Sequence, residues 1–209
     1  MASLQQLLGK DDQFFDLLAA SAAQACDSIR AIKQMVSATT ETKTLDLFVQ
    51  SRRKVKAITH QIGDLLCTTV VTNLERDDIE ALSNTLYKIP KTAEKIAERF
   101  LLAPGLAQGL DISRQIGLLE QATDTVLAMT RKLKEGLRVD AARDYNERLQ
   151  QLEGEADKVM VDMLRAIYAS SMDGKQVVFA KDLIELLERV ADRCRDAGIL
   201  ILHIVLKNT

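Results

Sequence analysis

The chain has 209 residues, no tryptophan, two prolines and a formal net charge of −2, from 28 basic and 30 acidic side chains. This near balance of charge argues against nucleic-acid binding, which usually depends on a basic excess. Apolar residues make up 47% of the sequence and aromatic residues only 4%, a mixture typical of long helices rather than of a β fold with many turns.

Six stretches show the apolar period of a helix. The predicted helices cover about residues 12–36, 45–72, 73–102, 111–137, 140–169 and, after the loop SSMDGKQ, the chain up to about residue 207. Asn73 and Asp140 are predicted N-caps, because their side-chain oxygens can accept hydrogen bonds from free backbone N–H groups. The first helix is expected to end in the Ser/Thr-rich stretch SATTETKT, and Pro104 and Gly105 interrupt the chain after the third helix.

The interruption at Pro104 lies near the middle of the chain, with three predicted helices on each side. The segment LYKIPKTAEKIAERFLL in the first half matches LERVADRCRDAGILIL in the second half in pattern, though weakly in identity. We therefore predict an all-α, elongated bundle of six helices. It forms a single domain over residues 1–209, with pseudo-repeated three-helix halves at about 1–103 and 104–209.

Several features of the sequence favour a cytoplasmic protein. No stretch approaches 18 uninterrupted apolar residues, so no membrane span is expected. The N-terminal segment MASLQQLLGKDDQFF does not resemble a secretory signal. The cysteines Cys26, Cys67 and Cys194 lie far apart and form no CxxC pair, which is typical of reduced, structural thiols.

Carboxylates at helical spacing are the strongest chemical feature. The segment LEGEADKVM carries Glu153 and Asp157, and ELLERVADRCRDAG carries Glu188, Asp192 and Asp196. Residues four apart share a helix face, and the two sets lie at the same angular offset from their apolar stripes. In antiparallel neighbours these edges either face each other or both face away. If they face each other, the crowded carboxylates favour a hard cation such as magnesium, manganese or iron. The alternative is a solvated helix face beside several arginines.

The segment LLERVADRCRDAGILILHIVLK closely resembles the last helix of PhoU-like proteins, which are cytoplasmic regulators of phosphate transport. LEGEADKVM resembles the family's other signature. KDDQFFDLLAASAAQ and NLERDDIEALSNTL resemble the branch often encoded beside phosphate permeases of the Pit type. The resemblance implies a regulator or accessory protein of inorganic phosphate transport, at the inner face of the membrane through a Pit-type permease or its regulators. It also implies multinuclear metal clusters, commonly of iron, on Glu153, Asp157, Glu188, Asp192 and Asp196.

The first half departs from this pattern. When it is aligned with the second half, His60 and Asp64 take the place of the two carboxylates on the fifth helix. Tyr87, Lys91 and Lys95 take the place of the three on the sixth. Because an ammonium group opposes a bound cation, only His60 and Asp64 stay as weak candidate ligands here.

Two other functions are open at this stage: a helical scaffold without metal, and a metal-dependent enzyme. Di-iron bundles use Glu-x-x-His motifs, but Ala57 and Leu200 stand three residues before His60 and His203. The chain also has no Gly-rich phosphate loop, so we predict that it is not an enzyme. The basic run at residues 51–56 indicates a solvated helix face, or alternatively a contact with an acidic partner or lipid headgroups. A homo-oligomer is an open alternative to a monomer.

Overall fold

The computed structural model of the protein describes residues 4–37, 44–69, 71–107 and 109–208, with side chains from residue 12 onward. Within these ranges the regular structure is helical, and no strand is present. The helices are α1 (Leu4–Ser37), α2 (Asp46–Thr68), α3 (Arg76–Leu102), α4 (Ser113–Lys134), α5 (Val139–Tyr168) and α6 (Gly174–Lys207). A single 3₁₀ turn at Pro104–Ala107 follows α3. The all-α prediction with six helices is confirmed.

Some helix ends differ from the predictions. Helix α5 begins at Val139, so Asp140 lies in the first turn instead of capping it, and there its charge complements the helix dipole. Helix α3 begins at Arg76, so Asn73 is not its N-cap. Asp173 caps α6 in a capping box, in which its carboxylate accepts from the Gln176 backbone N–H and the Gln176 side chain accepts in return. The predicted end of α1 in SATTETKT falls mostly on residues 38–43, which lie outside the described residues.

The six helices pack in two similar sets of three. Helices α1, α3, α4 and α6 meet at the centre, with α1 against α4 and α3 against α6. Helix α2 packs on α1 and α3, and α5 packs on α4 and α6, so α2 and α5 hold equivalent outer positions. One core cluster includes apolar residues from both halves, such as Leu18, Leu86, Leu119 and Leu187.

The buried positions repeat along the chain at a constant distance of 101 residues. Leu18 and Leu119 are both buried on the first helix of each half, and Leu86 and Leu187 are both buried on the third. The second helices follow the same rule, since Phe48 and Leu149 are both buried. Because burial is set by packing rather than by sequence identity, this spacing gives the true equivalence between the halves.

Candidate carboxylate groove

The second half brings its two carboxylate edges together between α5 and α6. Arg195 of α6 donates a hydrogen bond to Glu153 of α5, which joins the two edges. Electrostatic coupling from Asp157 and Glu153 also reaches Glu188 across the groove. The two edges therefore face each other, which is one of the two arrangements that the sequence allowed. We call this surface, formed by Glu153, Asp157, Glu188, Asp192 and Asp196, the carboxylate groove.

A guanidinium group already occupies part of the carboxylate groove. Besides its contact with Glu153, Arg195 lies 3.0 Å from an oxygen of Asp192 and 3.3 Å from one of Asp196. Its side chain is 30% exposed, so these contacts are partly shielded from water. Arg195 therefore acts as a counter-ion for three of the five predicted ligands. Its position three residues after Asp192 places it on the same helix edge, which the sequence could have indicated.

Glu188 lies in the most unfavourable electrostatic position of the groove. Partial burial has the largest effect in disfavouring the charged form of its carboxyl group, followed by the negative charge of Asp192 and by a hydrogen bond with Asp192. Asp157 and Glu153 add smaller contributions, and together these effects raise the pKa of Glu188 to about 7. A proton or a cation near Glu188 would relieve this repulsion.

The close approach of α5 to α6 depends on Gly198. A β-carbon built at Gly198 would lie 2.4 Å from Cδ1 of Leu149, a side chain that is only 1% exposed. The same β-carbon would lie 3.4 Å from Oδ1 of Asn146. The absence of a side chain at Gly198 therefore allows the two helices to come together, one turn from the contact between Glu153 and Arg195.

The donor set of the groove suits a hard cation, because carboxylate oxygens are the ligands that magnesium, manganese and iron accept. In the described residues, however, no three His, Cys, Asp or Glu side chains already converge on one point. The arrangement fits a metal only if Arg195 turns away and releases Glu153, Asp192 and Asp196. The groove is thus a carboxylate cluster held together by an internal cation.

The first half places its candidate ligands elsewhere. His60 and Asp64 are both exposed on α2. His60 lies 93 residues before Glu153, whereas the buried positions repeat at 101 residues, so the alignment that paired them was displaced by eight residues. Two helical turns span about seven residues, which explains why the periodic pattern tolerated this error.

The corrected equivalents on α2 are basic. Arg52 is equivalent to Glu153 and Lys56 to Asp157. Arg52 lies 2.6 Å from Glu94, whose position is equivalent to that of Arg195. The ion pair that links α5 to α6 therefore recurs between α2 and α3 with its charges exchanged.

Burial makes two of the three cysteines unsuited to act as nucleophiles. Cys26 and Cys194 are buried, and Cys67 is exposed. Burial raises the pKa of the Cys26 thiol to about 12 and also raises the pKa of Cys194. His203 is exposed near the end of α6.

Comparison with known proteins rests on structure alone, since no family model and no curated sequence matches the chain. The crystal structure of a PhoU-like protein from Shewanella oneidensis MR-1 has a TM-score of 0.72 and 19% identity, covering 93% of this chain and 99% of the other. A second Shewanella oneidensis MR-1 protein, described as a PhoU-like phosphate regulatory protein, has a TM-score of 0.62 and 19% identity. That match covers 94% of this chain and 97% of the other. The chain therefore has the PhoU-like fold.

Proposed function

We propose that this chain is a cytoplasmic, non-enzymatic regulator or accessory protein of inorganic phosphate transport. The observation that carries the proposal is the PhoU-like fold over 93% of the chain, with the carboxylate groove on the helices that resemble the family's signatures. One of the similar structures is described as phosphate regulatory. In the described residues no helix combines the length and apolar character needed to cross a membrane. Regulation would therefore act through a protein that moves phosphate, which we propose is a Pit-type permease.

The test of this proposal is phosphate uptake in cells that lack the gene, combined with co-purification against the tagged permease. We expect altered uptake under scarce or abundant phosphate, restored by the wild-type chain, and recovery of the permease with it. Unaltered uptake under both conditions, without co-purification, would refute the role in transport.

The carboxylate groove is proposed to take a hard metal cation when Arg195 turns away. Elemental analysis of protein purified without chelators should find iron, manganese or magnesium. The metal should be lost in an Asp157→Ala, Asp192→Ala double variant. A crystal soaked in Mn²⁺ should show anomalous peaks near Asp157 and none near Asp64, because the first half presents ammonium groups where the second presents carboxylates. Metal content that does not change in the double variant would rule out the groove as its site.

A helical scaffold that works without metal is the second candidate function. The observation that favours it is that Arg195 already pairs with three carboxylates of the groove and neutralises part of their charge. In that case the wild-type chain would contain no metal, and phosphate uptake would be the same in cells with and without the gene. Metal content and uptake together therefore separate the two candidates.

A further inference from the structure

The outer surface of α2 and α3 carries a concentrated positive charge. Four basic residues of α3 lie within an arc of about 80° around the helix axis, since each residue advances by about 100°. They are Lys88, Lys91, Lys95 and Arg99. All four are exposed, as are Arg53 and Lys56 on the neighbouring helix α2. We call these six residues the basic face. The whole chain has a net charge of −2, so this concentration is not a consequence of composition.

The cations of the basic face outnumber its carboxylates, since the exposed Glu98 lies on the same side of α3, about 20° from Lys91 around the helix axis. In the part of the chain that the structure describes, no carboxylate oxygen lies within 4.0 Å of any of the six charged groups. The Lys91 ammonium instead lies 5.8 Å from the centre of the Tyr87 ring. An anion arriving at this surface would therefore not have to displace an internal ion pair.

The equivalent surface of the second half has the opposite charge. Positions 101 residues after Lys56, Lys91 and Lys95 hold aspartates of the carboxylate groove. Arg99 is equivalent to Leu200, and Lys88 alone keeps its charge, as Arg189. Two surfaces at equivalent positions thus carry opposite charge, and only the first can be attracted to an anion.

An exposed leucine lies at one end of the basic face. Leu102 is 75% exposed, and its helical position places it within the same stripe as Lys95 and Arg99. Lysines and arginines beside exposed leucines on a helix surface are typical of proteins that bind at the interface of an anionic bilayer.

We propose that the basic face binds directly to the surface of an anionic phospholipid bilayer, with Leu102 at the headgroup boundary. The cations come from two neighbouring helices and form a broad surface, which suits laterally mobile lipid charges better than a single compact anion. The first half would then lie against the membrane. This goes beyond the proposed function because it needs no transporter, and it can fail while docking to a permease still holds.

The experiment is sedimentation of the purified full chain with vesicles of phosphatidylcholine alone or with about one third phosphatidylglycerol. We expect binding only to the anionic vesicles at about 0.1 M salt, and release at about 0.5 M, because salt screens the attraction. A Lys91→Gln, Lys95→Gln variant should bind about thirtyfold more weakly, since each cation near the surface contributes about fivefold. Leu102→Ser should also weaken binding at about 0.1 M salt, because it removes an apolar contact with the bilayer.

The matched control is a Lys158→Gln, Lys175→Gln variant. It removes the same charge from exposed positions on α5 and α6 and should bind like the wild type. The proposal is overturned if anionic vesicles do not bind the wild type, or if this control weakens binding as much as the variant of the basic face. Equal binding to neutral vesicles would also overturn it. Because the vesicles contain no permease, none of these outcomes bears on phosphate uptake in cells.

Discussion

Replacing Arg195 with glutamine should tighten metal binding to the carboxylate groove. In the wild-type chain an entering cation must break the contacts of Arg195 with Glu153, Asp192 and Asp196. Partly exposed ion pairs contribute about 0.5 kcal/mol each, so releasing the guanidinium costs about 1.5 kcal/mol. That cost corresponds to about tenfold in affinity. The Arg195→Gln variant avoids it and also removes the repulsion between Arg195 and the metal.

The measurement is a calorimetric titration of chelator-treated protein with Mn²⁺, combined with thermal unfolding. Without metal, the variant should be less stable by about 1–2 kcal/mol, because the facing carboxylates lose their counter-ion. For a chain of this size that lowers the melting temperature by a few degrees, about 2–4 °C per kcal/mol. Saturating Mn²⁺ should restore the melting temperature, because the metal takes over the role of the guanidinium.

The control is Lys175→Gln, which removes the same charge from an exposed position on the same helix, thirteen residues before Glu188. That separation is about 20 Å along the helix, so Mn²⁺ affinity should stay within about twofold of the wild type, since salt screens exposed charges over such a distance. If Arg195→Gln binds Mn²⁺ no more tightly than the wild type or this control, Arg195 does not compete with metal. If neither variant nor wild type binds Mn²⁺, the groove is not a metal site.

Three further predictions concern stability. Gly198→Ala should destabilise the protein by about 1–2 kcal/mol in urea unfolding, because the clash with Leu149 outweighs the gain in helix propensity. Gly154→Ala has open space around its β-carbon and should instead stabilise it by about 0.5–1 kcal/mol, and the same sign for both would show that α5 gives way. The raised pKa of Glu188 favours its protonated form in the folded state, so wild-type stability should fall as pH rises from about 4.5 to about 7. Glu188→Gln should lose that fall and be the more stable protein at about pH 8, and parallel pH curves would contradict the assignment. Glu94→Gln, at a side chain only 5% exposed, should cost about 1 kcal/mol in urea unfolding through its lost ion pair, and no change would mean that the pair is fully replaced by solvent.

The helices and the carboxylate edges were predictable because both follow from residue spacing within one helix. The apolar period located all six helices, and spacing of four residues placed Asp192 and Asp196 on one edge. Spacing within a helix does not determine the register between helices, and for that reason the alignment of α2 with α5 was wrong by eight residues. In the register that the buried positions fix, Arg52 and Lys56, not His60 and Asp64, are the equivalents of the carboxylates on α5.

The role of Arg195 was missed for a different reason. A guanidinium on a helix edge can turn to solvent or to a neighbouring helix, and the choice depends on how close that helix lies. Here the missing side chain at Gly198 brings α5 within reach, so that Arg195 meets Glu153. The distance between two helices depends on how the side chains of both helices pack, so it cannot be predicted from the residue pattern of one helix.

The exchange of charges between the halves gives two equivalent surfaces different binding preferences. A pseudo-repeat with identical surfaces would present the same face to any partner from either side. Here Glu94 and Arg195 hold equivalent positions with opposite charge, and each is paired across to its outer helix. The fold therefore keeps the same ion-pair link in both halves while making one surface attractive to anions and the other to cations. The carboxylate groove lies on α5 and α6, whereas the basic face lies on α2 and α3. A metal in the groove and an anionic bilayer at the basic face would therefore not compete for the same residues.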